Sequence, residues 1–273
     1  DGGADTDKLD LSAYTTVVDV TVTGAGAIDG VAGTTAAVAS GFDNIDTLTG
    51  SGVAGSTLTG TAGADTFTTS APNAGELELA GGQATDYSGF DRLSGADGGD
   101  TFNLAHDTGG DVVGDSGDDT FNLLGDAELG DQAIDGGTGT DTVDVAGADG
   151  TRTVIPGRGF ADIEALRGSG DRLRGSADGA TDWALNASQG GSVNGIDFNG
   201  FARVLSGTGG ENRFTADGNY DGVVELSGSR NLWDYTPGAP LTTGQVLGDG
   251  SLTVPEPASG PGGDLRIGDG DLA

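Results

Sequence analysis

The chain lacks cysteine and methionine, and only 11 of its 273 residues are lysine or arginine. The absence of cysteine excludes a disulfide framework and thiolate chemistry. Aromatic residues make up 5% of the chain, and no apolar run is long enough to span a bilayer. We therefore expect no membrane insertion, and a narrow core built from aliphatic side chains and a few phenylalanines.

Positive charge is scarce, whereas aspartate and glutamate number 43 and give a formal net charge of -32. Most of these acidic residues lie in turns rather than in one acidic run, so a disordered acidic tail is not indicated. Nucleic acids and anionic membrane surfaces are polyanions and are therefore excluded as expected partners. Metal cations, a salty medium or a hydrated exposed surface suit this charge better.

Glycine is abundant, with 55 residues, and it recurs with aspartate at fixed offsets. The clearest unit is Asp135-Gly-Gly-Thr-Gly-Thr-Asp-Thr-Val143. Looser versions begin at Gly60, Gly95 and Gly114, and each ends in Asp-Thr-Phe. Glycine permits the left-handed backbone of a tight turn, and the apolar residue after each aspartate begins a strand that points inward.

Short segments between these turns alternate apolar and polar residues, the pattern of half-buried β-strands. Examples are Thr101–Leu104 and Thr120–Leu123. Turn signals every eight to twelve residues fit a sandwich, a barrel or a solenoid. The aspartates at 100, 119 and 141 are 19 and 22 residues apart. This spacing favours an all-β fold, a parallel β-solenoid of about 20 residues per coil.

Internal similarity divides the chain into two long copies. Residues 41–52 align without a gap to residues 159–170, which predicts one solenoid copy at 1–134 and a second at 135–244. Residues 245–273 contain three prolines and are predicted to form a linker with the start of a following module or a C-terminal cap. In the first copy, Gly24 to Gly33 is predicted to be a projecting loop.

These motifs resemble two known groups of bacterial proteins. Gly136-Gly-Thr-Gly-Thr-Asp-Thr-Val143 is similar to the nonapeptide of RTX (hemolysin-type calcium-binding) proteins, and the long copies resemble repeats of filamentous-haemagglutinin-type surface proteins. The resemblance implies a right-handed parallel β-helix, secretion, and calcium held between successive turns. The ligands that it implies are Asp7, Asp65, Asp100, Asp119 and Asp141.

The same aspartates have a second interpretation, in which each carboxylate closes its own turn through the backbone. In the second copy Asn212 and Arg230 take the places of Asp100 and Asp119, and an arginine cannot bind a cation. Both interpretations remain open at this point.

An enzyme is the alternative function, because parallel β-helices also serve polysaccharide lyases and epimerases. Such enzymes use clustered carboxylates, or carboxylates with basic residues, in a groove. The only histidine, His106, lies in a glycine-rich turn. Arg167, Arg172 and Arg174 form the densest basic cluster; they could bind an acidic sugar, but pairing with adjacent turn aspartates is the favoured interpretation.

The sequence therefore predicts a non-enzymatic, structural or adhesive repeat module of a secreted or cell-surface bacterial protein. It would act as a rigid spacer that calcium could stiffen. The expected partners are adjacent modules of the same chain, with surface carbohydrate or a host or abiotic surface as further candidates. The expected state is a monomer, and a β-helix that binds or modifies polysaccharide is the alternative.

Overall fold

The structure is a computed structural model that describes residues 1–125, 133–148, 151–176, 179–216, 220, 222–227, 231–235, 245–248 and 252–253. The described residues form 26 β-strands and no helix, so the protein is all-β, as predicted. Within this described part, no helix is long and apolar enough to cross a membrane. Most of the region 245–273, predicted to be a linker or cap, lies outside the described residues.

The chain divides into two compact units. Unit 1 comprises residues 1–148 and 159–163, and unit 2 comprises residues 149–158 and 164–273. The strands of unit 1 are β1 (Lys8–Asp10), β2 (Val20–Ala25), β3 (Val31–Thr35), β4 (Val38–Ile45), β5 (Thr47–Thr49), β6 (Thr57–Thr59), β7 (Thr66–Ala71), β8 (Ala74–Glu78), β9 (Ala84–Ser88), β10 (Arg92–Ser94), β11 (Thr101–Leu104), β12 (Val112–Val113), β13 (Thr120–Leu123), β14 (Ile134–Asp135), β15 (Thr142–Asp144) and β17 (Phe160–Ala161). Those of unit 2 are β16 (Thr153–Val154), β18 (Ala165–Arg174), β19 (Thr181–Ala187), β20 (Gly190–Val193), β21 (Ile196–Leu205), β22 (Asn212–Ala216), β23 (Val223–Leu226), β24 (Asn231–Tyr235), β25 (Gln245–Gly248) and β26 (Leu252–Thr253).

Unit 1 contains two sheets of mostly parallel strands. Sheet 1 has the order β1-β5-β9-β8-β7-β11-β13-β15, and only β8 runs antiparallel to its neighbours. Sheet 2 has the order β4-β3-β2-β6-β10-β12-β14-β17. From β10 to β15 the chain alternates between the sheets, so each sheet receives one strand from every pass.

The register of sheet 1 follows the spacing of the glycine–aspartate units. Thr101 pairs with Thr120, and Thr120 pairs with Thr142, offsets of 19 and 22 residues. In the segments that lead from a strand of sheet 2 to the next strand of sheet 1, isolated parallel bridges join Asp97 to Ser116 and Ser116 to Thr138. Each pass of the chain therefore returns to the same position one strand further along.

Antiparallel hairpins lengthen some of these passes. The offset from Thr66 to Thr101 is 35 residues, because β8 and β9 lie between these two positions in the sequence. The segment from Gly24 to Gly33 is a similar case. It was predicted to be a projecting loop, and most of the predicted extent of that loop was wrong. It forms an antiparallel hairpin of β2 and β3, in which the buried side chain of Val31 holds the returning strand against the core.

The core of unit 1 contains a stack of phenylalanines, one from each pass. Phe67, Phe102 and Phe121 are fully buried, and each ring lies 5.0 Å from the next in a nearly parallel orientation. Stacked aromatic pairs stabilise a fold beyond the free energy of burying their area. Parallel in-register pairing places identical side chains above one another, so the repeated Thr-Phe sequence produces this stack.

Unit 2 uses the same parallel pairing. One row of strands runs β16-β18-β21-β23-β25, and another runs β19-β22-β24-β26. The short strand β20 pairs antiparallel with both β19 and β21. Trp183 stacks on Phe214 at 5.8 Å, in the place that paired phenylalanines take in unit 1.

Truncating the middle ring of the stack should destabilise unit 1. We expect Phe102→Ala to lower the free energy of unfolding by about 3–5 kcal/mol, because it removes buried area and leaves a cavity between two rings. Thermal or urea unfolding measures the loss. Ile28→Ala is the control, since Ile28 is 64% exposed and its truncation should change stability little. A loss below about 1 kcal/mol for Phe102→Ala would contradict a stack that carries the core.

Candidate functional site

The glycine–aspartate units form turns with two left-handed residues in register. The first position is Ala96, Asp115 or Gly137, and the second is Gly98, Gly117 or Gly139 in the same three passes. Glycine adopts positive φ at little cost, whereas Ala96 at 78° and Asp115 at 72° do so against their preference. These turns aim the aspartate that follows into the interior.

Four of the predicted ligands meet in one buried row, which we call the aspartate ladder: Asp65, Asp100, Asp119 and Asp141. Each is at most 1% exposed. The backbone N–H of Asp65 donates to Oδ1 of Asp100 at 2.7 Å, and that of Asp100 donates to Oδ1 of Asp119 at 2.7 Å. The N–H of Asp119 donates to Oδ1 of Asp141 at 2.8 Å. The carboxylates of Asp100, Asp119 and Asp141 therefore each fasten their own pass of the chain to the preceding one.

We call Asp100 and Asp119, which lie between Asp65 and Asp141, the inner carboxylates, and the second oxygen of each faces a glycine. Oδ2 of Asp100 and of Asp119 is buried and accepts no hydrogen bond. A β-carbon at Gly95 or Gly114, five residues earlier, would collide with that oxygen. Glycine at this offset is therefore required by the carboxylate that packs against it. Asp65 differs, because its Oδ2 accepts the N–H of Thr61 at 2.6 Å and the hydroxyl of Thr61 at 2.9 Å.

Burial makes the inner carboxylates weak acids. It raises the pKa of Asp100 to about 7 and the pKa of Asp119 to about 6. The backbone hydrogen bond to each carboxylate acts in the opposite direction, since it favours the ionised form. Neighbouring carboxylates raise the pKa further; for Asp100 these are Asp119, Asp65 and Asp115. The ladder is thus held by hydrogen bonds but opposed by its own charge near neutral pH.

The fifth predicted ligand, Asp7, lies outside this row. Its backbone N–H donates to Oδ2 of Asp46 at 2.9 Å. This is the same kind of contact, made where β1 pairs with β5 at the end of sheet 1. Sequence reasoning missed Asp46, although Gly41 precedes it by the same five residues and Thr47-Leu48 follows it. It also missed Asp171, whose Oδ1 accepts the N–H of Arg152 at 2.9 Å.

One row of unit 2 has uncharged residues at the equivalent positions. Thr181, Asn212 and Asn231 pair in register and are buried. Oδ1 of Asn212 accepts the N–H of Gly207 at 2.7 Å, and its Nδ2 donates to the carbonyl of the same glycine at 3.1 Å. The register aligns Asn231, rather than Arg230, with Asn212, and Arg230 itself lies outside the described residues. The amide of Asn212 therefore bonds within its own turn, whereas the inner carboxylates of unit 1 bond the preceding pass.

The ladder does not fit a calcium shell. Calcium takes six to eight oxygen ligands, whereas each inner carboxylate uses one oxygen for a backbone N–H and turns the other toward a glycine. The groups nearest each carboxylate include N–H donors, which repel a cation. Among the described residues, no group of three or more histidine, cysteine, aspartate or glutamate side chains is placed to hold a metal ion.

Comparison with known proteins adds no identification. No protein-family model matches the sequence, and neither a curated protein nor a solved structure matches it. The resemblance to RTX and filamentous-haemagglutinin repeats therefore stays a prediction.

Replacing the inner carboxylates with amides should remove a pH dependence of stability. The folded pKa values of Asp100 and Asp119 lie above the unfolded value, so the stability linked to their protons is present below about pH 4 and is lost as pH rises to about 7. The shift of Asp100 alone corresponds to at most about 4 kcal/mol. We expect Asp100→Asn with Asp119→Asn to unfold at higher urea concentration than the wild type at pH 8 and to show a flatter pH profile.

The reverse change is the matched control. Asn212→Asp should place an unpaired charge in unit 2 and lower its stability at pH 8, because the amide that donates to Gly207 is lost. An unchanged pH profile in the double variant would contradict the assignment of buried acids.

Calcium removal provides a separate test of the ladder. We expect EDTA and added calcium chloride to leave the thermal melting temperature unchanged, because one oxygen of each inner carboxylate accepts a backbone N–H and the other packs against a glycine. Differential scanning calorimetry measures this at constant ionic strength, with magnesium chloride as the control salt. A calcium-specific rise in melting temperature that disappears in Asp100→Asn would show that the ladder binds the ion.

Proposed function

We propose that the chain is a structural repeat module in which each unit is a right-handed parallel β-helix of about 20 residues per coil. The observation that carries this proposal is the sustained parallel register. At the offset of 19 residues Thr pairs with Thr, Phe with Phe and Asn with Asn, and at the offset of 22 Thr120 pairs with Thr142. Offsets of 20 and 19 residues recur in unit 2, at Arg203–Val223 and Asn212–Asn231.

A module of this kind acts as a rigid spacer. Three kinds of contact join successive passes and support stiffness: the backbone pairing, the phenylalanine stack and the aspartate ladder. Outside the core, Nδ2 of Asn122 donates to Oδ1 of Asn103 at 2.9 Å. In a stacked repeat, stability is a sum of such nearest-neighbour terms, so no single pass is a hinge.

A cell-surface or extracellular setting suits the composition. The formal charge of -32 and the absence of cysteine fit an exposed, hydrated and acidic protein of an exported kind. Its partners would be adjacent modules, with carbohydrate or a host or abiotic surface at the far end. His106 is exposed and its backbone, not its ring, contacts Thr69. No observation in the described residues favours the polysaccharide-active alternative.

Deleting the segment from its full-length protein tests the spacer. We expect an epitope tag on the far side of this segment to lie closer to the cell surface once residues 1–273 are removed, because fewer coils separate the two. Immunogold electron microscopy of intact, unpermeabilised source cells measures the tag-to-surface distance.

The control replaces the segment with a glycine–serine linker of equal length, which as a flexible coil gives a broad distribution of tag-to-surface distances instead of one fixed distance. No labelling of intact cells would refute the surface location. An unchanged distance after deletion would refute the spacer.

A further inference from the structure

Charge is divided unequally between the two units. Unit 1 carries 27 of the 43 acidic residues and only two of the 11 basic residues, Lys8 and Arg92. Unit 2 carries the other nine basic residues. The chain is thus strongly acidic in one unit and of mixed charge in the other. Its most basic surface belongs to a different unit from its most acidic surfaces.

The basic surface is an outward face of unit 2, which we call the arginine face: Arg172, Arg174 and Arg203. Arg172 on β18 pairs in register with Arg203 on β21, and Arg174 lies two residues further along β18. Arg203 forms an ion pair with Glu225. Neither Arg172 nor Arg174 forms an ion pair with any described residue. The predicted pairing of these arginines with turn aspartates is therefore not found within the described part of the chain.

Placing Arg172 directly opposite Arg203 is unfavourable, because like charges on paired strands repel. Val223 lies in register with Arg203, is half-buried and adds some apolar area to the same face. The stems of the arginines are covered more than their ends, as the buried Nε of Arg174 shows. This face presents guanidinium groups, with apolar surface beside them, to an anionic partner.

Unit 1 has a matching face of opposite charge, which we call the acidic face: Glu76, Glu78 and Asp86. Glu76 on β8 pairs directly with Asp86 on β9, and Glu78 lies two residues further along β8. All three are exposed, and none forms a side-chain hydrogen bond or ion pair with a described residue. Like charges are again placed directly opposite one another without a local partner.

We propose that the arginine face of one copy binds the acidic face of a second copy. Each face has two charges on neighbouring strands and a third charge two residues along one strand. Neighbouring strands lie about 4.8 Å apart in any sheet, so the two patterns share the same spacing. Guanidinium and carboxylate groups form paired, charge-assisted hydrogen bonds, and contact would relieve the repulsion within each face.

The second copy is the partner that the charges favour. Unit 1 of a neighbour supplies unpaired carboxylates at the required spacing, and unit 2 is the less acidic surface available to them. Because the two faces differ, the contact is heterologous, and repeating it generates an open chain of copies rather than a closed dimer. This proposal replaces the monomer expected from the sequence and does not depend on the spacer function.

Ionic strength should control the association. A net charge of -32 repels whole copies, but the Debye length is about 10 Å at 0.1 M salt, which screens distant charges and leaves contacting pairs. At about 1 M salt the Debye length is about 3 Å, and the contacting pairs are weakened as well. We expect sedimentation velocity to show oligomers that grow with protein concentration near 0.1 M sodium chloride and dissociate near 1 M.

Charge reversal on each face tests the contact. Arg172→Glu with Arg174→Glu should abolish the oligomers, and Glu76→Arg with Glu78→Arg should do the same. Mixing these two variants should restore association, because each then offers the face that the other needs. Arg167→Glu is the matched control: it makes the same charge change on β18, opposite Asn199 and away from the arginine face, and should leave the oligomers intact. Arg172, Glu76 and Glu78 are exposed and Arg174 is half-buried, so circular dichroism melts check that each variant folds.

Three results would overturn the proposal. The first is a wild type that stays monomeric across the concentration range at 0.1 M salt. The second is a mixture of the two variants that fails to associate. The third is binding of polygalacturonate by the wild type, lost in Arg172→Glu with Arg174→Glu, without self-association; this would assign the arginine face to an acidic polysaccharide instead.

Discussion

The structure depends on finding an acceptor for one buried backbone N–H in every pass of the chain. An unpaired buried N–H costs about as much as a lost hydrogen bond, and at the inner corner of these turns the strand pairing does not supply one. Asp100 and Asp119 solve this by reaching from the next pass with Oδ1. The contact fixes the register, and its bulk requires glycine five residues earlier, at Gly95 and Gly114. One interaction thus accounts for both recurrent residues of the repeat.

The two units satisfy the same requirement at different electrostatic cost. In unit 1 a row of carboxylates is buried together, so burial and mutual repulsion raise the pKa of Asp100 to about 7. In unit 2 the equivalent Asn212 bonds the N–H and the carbonyl of Gly207 within its own turn. The N–H of Thr181 on the preceding pass donates instead to the backbone carbonyl of Glu211. The passes of unit 2 therefore keep their register at this position without a buried charge. This comparison within one chain shows that stacking of the passes does not require a carboxylate at this position.

The strands that recur at a regular spacing in the sequence were the ones predicted correctly. The strands Thr101–Leu104 and Thr120–Leu123 and their offset of 19 residues were predicted correctly, because turn chemistry and apolar alternation agree there. The inserted hairpins were missed, since a single coil period leaves no room for an antiparallel strand. One signal was present in the sequence: the dipeptide Asn194-Gly195 is typical of a two-residue hairpin turn. In the structure these residues have φ of 50° and 86° and join β20 to β21. The arginine and acidic faces could not be predicted, because register across distant residues decides which charges become neighbours.

Parallel register repeats the surface as well as the core. Along sheet 1, Thr68, Asn103 and Asn122 lie in one outward row between Glu76 and Asp144. These neutral side chains hydrogen-bond one another and separate the carboxylates that flank them. In a fold that stacks equivalent positions, like charges meet unless such spacers intervene. Glu76 opposite Asp86 and Arg172 opposite Arg203 are pairs without a spacer. Their opposite signs, on exposed sheet faces of different units, make them the places where this surface has most to gain from contact with another copy.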